Sequence, residues 1–264
     1  FIGTVSGKSN TTASNNTGLG FNSLLSNTTG NSNVAVGPYA LDANTTASNN
    51  VGMGYASLGA NTTGASNTAV GTNSLDANTT GSNNTALGMH SLGANTTGTS
   101  NVAVGANALD ANTTGTSLTA LGQNALTTNT TADNNTAIGQ NSMESNTTGE
   151  KNTAVGSGSL PANSTGSKNT AIGYLALQSN TTASNNTALG QEALKANTTG
   201  EKNVAVGSLA LDANTTAIKN TAMGHAALTS NTTGYENTAL AQNTLAANTT
   251  GLHNVAVGAS VLAS

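Results

Sequence analysis

The sequence predicts an all-β fold: a parallel β-solenoid (a β-roll or β-helix) with 17 residues per turn and about 15 turns. Three observations point there. The triplet Asn-Thr-Thr recurs at a constant step of 17 residues through 15 copies, with no insertion or deletion. Each copy carries one short stretch of alternating apolar residues, as a strand does. Aromatics are 2% and charged residues 6% of the chain, whereas an ordinary globular domain has about 25% charged residues and a core of large apolar side chains. Net charge is only −4, and Val, Leu and Ile keep a strict schedule, so the chain lacks the composition of a disordered segment.

The triplet begins at Asn10, Asn27, Asn44, Asn61, Asn78, Asn95, Asn112, Asn129, Asn146, Asn163, Asn180, Asn197, Asn214, Asn231 and Asn248, with Ser164 the one replacement of its first Thr. A second Asn column runs from Asn16 to Asn254 and is broken only by Leu118. The consensus is N-[TV]-A-[VLI]-G-x-x-[AS]-L-x-x-N-T-T-G-x-x. Uniform length implies that every turn lies over the one before it, in register around its whole circumference. The chain therefore reads as a single continuous array over residues 1–264. It opens at Phe1-Ile2-Gly3 and closes at Ser264 in mid-turn without capping repeats, and is expected to be a window of a longer fibre.

In Asn33-Val34-Ala35-Val36-Gly37, period-2 alternation points Val34 and Val36 to one face and Ala35 to the other. The expected inward pair is Val34 and Val36, with Ala35 outward. Gly follows in 14 of 15 copies, Ala241 being the exception, and bends the chain. A Leu comes four residues later, from Leu24 to Leu262, with Met143 the one substitute. The charges fall in the expected turns: Asp42, Asp76, Asp110 and Asp212 after the Leu, and Glu150-Lys151 and Glu201-Lys202 after Asn-Thr-Thr-Gly.

A 34-residue superperiod overlies the repeat. Val36, Val70, Val104, Ile138, Ile172 and Val206 are β-branched, and the turns between favour Leu19, Met53, Leu87, Leu121, Leu189 and Met223. The helical alternative, for segments such as Gln191–Ala196, extends to one turn at most, because two Asn and two Thr in every unit are poor helix interiors.

Stacked turns about 4.8 Å apart make a rod roughly 70 Å long and set identical residues over one another. The 15 triplet Asn are the candidate site residues, as an amide ladder in which each carboxamide donates to one neighbour and accepts from the other. The same Asn and the second Thr are the two positions invariant in all copies, and they are also those an N-glycosylation sequon requires. On the ladder reading both point inward; on the other they face solvent and carry covalent glycans. Four more sequons, at Asn15, Asn83, Asn134 and Asn185, sit in the other Asn-rich slot.

Chemistry is not legible. His90, His225 and His253 occupy three different slots and cannot cluster. The Asp set recurs two turns apart, roughly 10 Å, beyond shared metal ligation at about 2.3–2.6 Å. The glycines suit strand corners rather than phosphate loops. No catalytic residue, metal or cofactor is expected. Six Lys plus Arg give no basic footprint for nucleic acid, and no apolar run is long enough for a spanning helix.

Asn186-Thr187-Ala188-Leu189-Gly190-Gln191-Glu192-Ala193-Leu194 resembles repeats of bacteriophage tail-fibre proteins, over nearly the whole chain. Asn203-Val204-Ala205-Val206-Gly207 is similar to the head repeat of trimeric autotransporter adhesins, over about five residues of each unit. The second resemblance implies a trimer of parallel β-rolls and surface attachment. The expectation is a structural fibre or filament shaft, not an enzyme, located outside the cell, on its surface or on a virion. Its partner is itself, as a trimer or filament, because so few large apolar side chains per turn call for a second face buried against sibling chains, with the small outward residues Ala35, Ala69, Ala86 and Ala103 as the expected contact face. Inserting into no membrane and binding no nucleic acid, it projects or coats. The alternatives are an ice-binding or other ligand-binding solenoid, and a glycosylated adhesin filament.

Overall fold

A computed structural model describes residues 1–263, and the chain divides into two compact units, Phe1–Asp133 and Asn134–Ser264. The first holds seven three-residue strands: β1 (Thr17–Leu19), β2 (Val34–Val36), β3 (Val51–Met53), β4 (Thr68–Val70), β5 (Thr85–Leu87), β6 (Val102–Val104) and β7 (Thr119–Leu121). The second holds eight: β8 (Thr136–Ile138), β9 (Thr153–Val155), β10 (Thr170–Ile172), β11 (Thr187–Leu189), β12 (Val204–Val206), β13 (Thr221–Met223), β14 (Thr238–Leu240) and β15 (Val255–Val257). Within each unit every strand pairs in parallel with the next at a register of one repeat, so Val36 lies beside Met53 and Ile172 beside Leu189. Each unit is a β-solenoid of about 17 residues per turn. No helix occurs among the described residues, the Gln191–Ala196 stretch included.

Stacking extends beyond the strands. In one turn Thr68 N–H donates forward to Asn84 O at 2.8 Å, Gly71 N–H back to Met53 O at 2.8 Å, Leu75 N–H forward to Ser91 O at 3.0 Å and Thr79 N–H forward to Thr96 O at 2.9 Å. The chain turns its corners with residues in the left-handed region. Gly37 has φ 129°, but Leu41 (52°), Tyr39 (60°) and Asn49 (63°) are also positive, and the pattern recurs in every turn. A bulky residue such as Leu is uncommon there. It persists because buried packing and hydrogen bonds on both sides over-determine it.

The strand faces are opposite to the expectation. Ala35, Ala69, Ala86 and Ala103 are fully buried, while Val36, Val70 and Val104 are half-exposed and Leu19, Leu87 and Leu121 exposed. The reason is the second Asn column. Asn33 is buried, and alternation puts Ala35 on the same side as Asn33. A one-residue change of parity moves the whole strand to the other face. The core is thus built from columns of Ala, of Leu41, Leu58, Leu75 and their equivalents, and of two kinds of Asn.

Candidate functional site

The triplet Asn side chains are buried in both units, except for half-buried Asn10 and Asn248. In the first unit each Nδ2 donates to Oδ1 one turn earlier: Asn27 to Asn10 at 3.1 Å, Asn44 to Asn27 at 2.8 Å, Asn61 to Asn44 at 3.0 Å. Asn78 to Asn61 follows at 2.8 Å, Asn95 to Asn78 at 2.9 Å, Asn112 to Asn95 at 2.9 Å and Asn129 to Asn112 at 3.0 Å. In the second unit Asn163, bonded to Asn146 at 2.8 Å, is followed by Asn180, Asn197, Asn214, Asn231 and Asn248 in the same sense. The other amide proton goes to the carbonyl three residues on, as from Asn61 to Gly64 O at 2.9 Å.

That carbonyl joins the two Asn columns. Asn50 Nδ2, from the preceding turn, reaches the same Gly64 O at 2.9 Å. Asn50 N–H meanwhile donates to Asn33 Oδ1 at 3.0 Å, and Asn67 N–H to Asn50 Oδ1 at 2.9 Å. The second column therefore relays side chain to backbone, where the first relays side chain to side chain. At Leu118 the side-chain relay stops, yet Leu118 N–H still donates to Asn101 Oδ1 at 3.0 Å. Among the described residues no buried side-chain nitrogen or oxygen lacks a partner, which is the condition for polar groups to be tolerated in a core.

The two Thr of the triplet separate. The first hydroxyl donates to the next turn's carbonyl, as Thr45 Oγ1 to Thr62 O at 3.1 Å, and Ser164 keeps that bond to Thr181 O at 3.1 Å. The second, as at Thr29, Thr46 and Thr63, is exposed. It does not share the inward face with Asn, because the chain bends within the triplet instead of running on as a strand. Nothing in the structure accounts for its invariance.

The sequons differ accordingly. A sugar on a triplet Asn would replace one Nδ2 proton, remove one of its two hydrogen bonds and need space inside the stack. Asn15, Asn83, Asn134 and Asn185 are exposed, in the left-handed corner at φ 60–63°.

The acidic column is less solvated than a rim. Asp42, Asp76 and Asp110 are half-buried, and desolvation pushes each carboxyl above the ordinary carboxylate value. Gly59 and Gly93 occupy the turns between them, and a side chain at Gly93 would run into Asp110 Oδ1. His90 lies close enough to oppose the rise at Asp76 and Asp110. In the second unit Glu236 accepts from Lys219 Nζ at 2.8 Å and meets His253 Nδ1 at 3.1 Å; the Lys219 hydrogen bond holds its carboxyl low. Among the described residues no group of three or more His, Cys, Asp or Glu is placed to share a metal ion. A recess lined by Glu144, Ser145, Pro161, Ala162, Gln178 and Ser179 is open to solvent. What remains is the outward strand face, two columns wide: Thr or Val at the first strand position, and Val, Ile, Leu or Met at the third.

Comparison with models of known protein families and with characterised proteins gives no match.

Proposed function

We propose that this chain is a structural shaft: a fibre or filament segment that projects or coats, outside the cell or on a virion, and catalyses nothing. The observation that supports this best is the repetition of one bonding scheme around each turn. Within each unit, strand pairs, corner hydrogen bonds and both Asn columns tie one repeat to the next, so further turns extend the same stack. Tail-fibre repeats, which the unit resembles, have this kind of role. Sibling chains pack on the outward face of the strands, where apolar side chains form a continuous uncharged stripe in each unit. The Ala column cannot serve, since it lies inside.

The test is light scattering and electron microscopy of the whole chain beside the Val104→Glu, Leu121→Glu double variant. The wild type should form laterally associated particles, and the variant should keep its β spectrum yet fall to monomers. An unchanged mass would remove the strand face as the contact, and a compact monomeric wild type would count against the shaft. The exposed Thr column (Thr29, Thr46, Thr63 and equivalents) supports ice binding as a second reading. It ranks second because the triplet presents one Thr outward per turn. Thermal hysteresis in the wild type would reverse that order.

A further inference from the structure

The outward apolar column of the first unit alternates in side-chain length. From that relief we infer that this face takes a second copy of the chain offset by an odd number of turns, long side chains seated over short ones. The inference rests on the proposal that the strand face is an interchain surface, and adds the geometry of the contact.

The column reads Leu19, Val36, Met53, Val70, Leu87, Val104, Leu121, and each residue is in register with the next across the parallel pairs. Leu19, Met53, Leu87 and Leu121 are 39–46% exposed, whereas Val36, Val70 and Val104 between them are less exposed. Ridges therefore recur every second turn, about 10 Å apart, with furrows between. The neighbouring column (Thr17, Val34, Val51, Thr68, Thr85, Val102, Thr119) contains only short β-branched side chains and adds no competing relief.

Backbone hydrogen bonds on every turn fix the turn-to-turn spacing of this face, so the relief cannot be evened out by sliding one turn past the next. Two such faces meeting antiparallel with turns of like relief opposed set ridge against ridge and leave a void at each Val layer, which close-packed protein contacts do not tolerate. Displaced by one turn, each Leu or Met enters the furrow over a Val. An antiparallel pair about a two-fold axis along the strands and lying between adjacent turns sets the third strand positions of the two copies against each other in this way and closes on itself. No outward strand residue of this unit is charged, so nothing on the face repels a like chain. Seven turns by two columns give a footprint of roughly 500 Å² before relief is counted, the same order as the about 800 Å² each partner of a stable pair buries.

The chain has no Cys, so single cysteines placed on the exposed column of the full chain report the offset under mild oxidation. Leu87→Cys mixed with Val36→Cys, Val70→Cys or Val104→Cys should give a disulfide-linked heterodimer in at least one mixture. Leu87→Cys alone, or mixed with Met53→Cys or Leu121→Cys, should give none, since a disulfide needs Cα atoms within about 7 Å. Crosslinking of long positions to long positions would overturn the offset while leaving lateral association standing. A wild type that stays monomeric at every concentration would sink both. As a second measurement, replacing Leu19, Met53, Leu87 and Leu121 together by Val flattens the ridges. Self-association should then weaken by about tenfold or more, and an association that strengthened would also overturn the offset.

Discussion

Asn112 donates one amide proton to Asn95 Oδ1 at 2.9 Å and the other to its own turn's Gly115 O at 3.1 Å, so one side chain ties two turns and closes a bend. Its Oδ1 in turn accepts from Asn129 at 3.0 Å.

Asn112→Ala leaves Asn95 without its donor and Asn129 without its acceptor, both inside the core. The expected cost is about 1–3 kcal/mol for each stranded group, read as a lower midpoint in urea. Thr114→Ala, on the exposed Thr column of the same turn, should change stability by less than about 0.5 kcal/mol. Equal effects would mean the carboxamide column carries no structural weight.

Ala241 has φ 115°, in a column otherwise occupied by Gly. At Gly224, one turn earlier, an added Cβ would run into the backbone of Ala241 itself. Ala241→Gly should therefore raise the melting temperature, corresponding to about 1 kcal/mol once the added chain entropy of Gly is subtracted. Gly105→Ala (φ 132°) is the reverse change, and should lower it by at least as much. A destabilising Ala241→Gly would show that the corner is not strained.

Asp76 titrates high because burial disfavours its charge, an effect opposed in part by its own backbone hydrogen bond and by His90 and reinforced by repulsion from Asp110. A folded carboxyl that holds its proton more tightly than the unfolded one stabilises the fold when protonated. Its contribution is fullest below about pH 4 and is lost as pH rises through the folded pKa. Asp76→Asn should raise stability at neutral pH and flatten the pH profile above about pH 4. Stability of the wild type rising over that range, with the rise lost in Asp76→Asn, would reverse the sign and show that the ionised carboxylate is the favoured form.

Passage through a glycosylating secretory pathway separates the two sequon classes. Folded protein recovered from such a host should carry no glycan at Asn61, whose two amide protons are both bonded inside the stack at 3.0 Å and 2.9 Å. Exposed Asn83 is free of that constraint. Peptide mass spectrometry finding Asn61 glycosylated in folded chains would place that side chain outside.

The period of 17 was enough to predict parallel pairing at a register of one repeat, because no other pairing lays Asn27 on Asn44 and Val36 on Met53 throughout an array without insertions. The triplet Asn column was legible for the same reason. What the sequence left open was the sign of the strand. Alternation separates Val34 and Val36 from Ala35 but does not say which set faces in, and side-chain size alone points the larger apolar residues inward. Tertiary structure decided otherwise. Asn33 must lie inside, where its amide reaches Ala47 O at 2.9 Å, and Ala35 goes with it. The join of the two Asn columns at one carbonyl was equally hidden, since Asn50 and Asn61 meet Gly64 from different turns. So was the separation of the two Thr, which depends on a bend inside the triplet that period-2 alternation cannot anticipate. A repeat length sets which residues stack; which of them face the core depends on the volume inside one narrow turn and on the carbonyls waiting there.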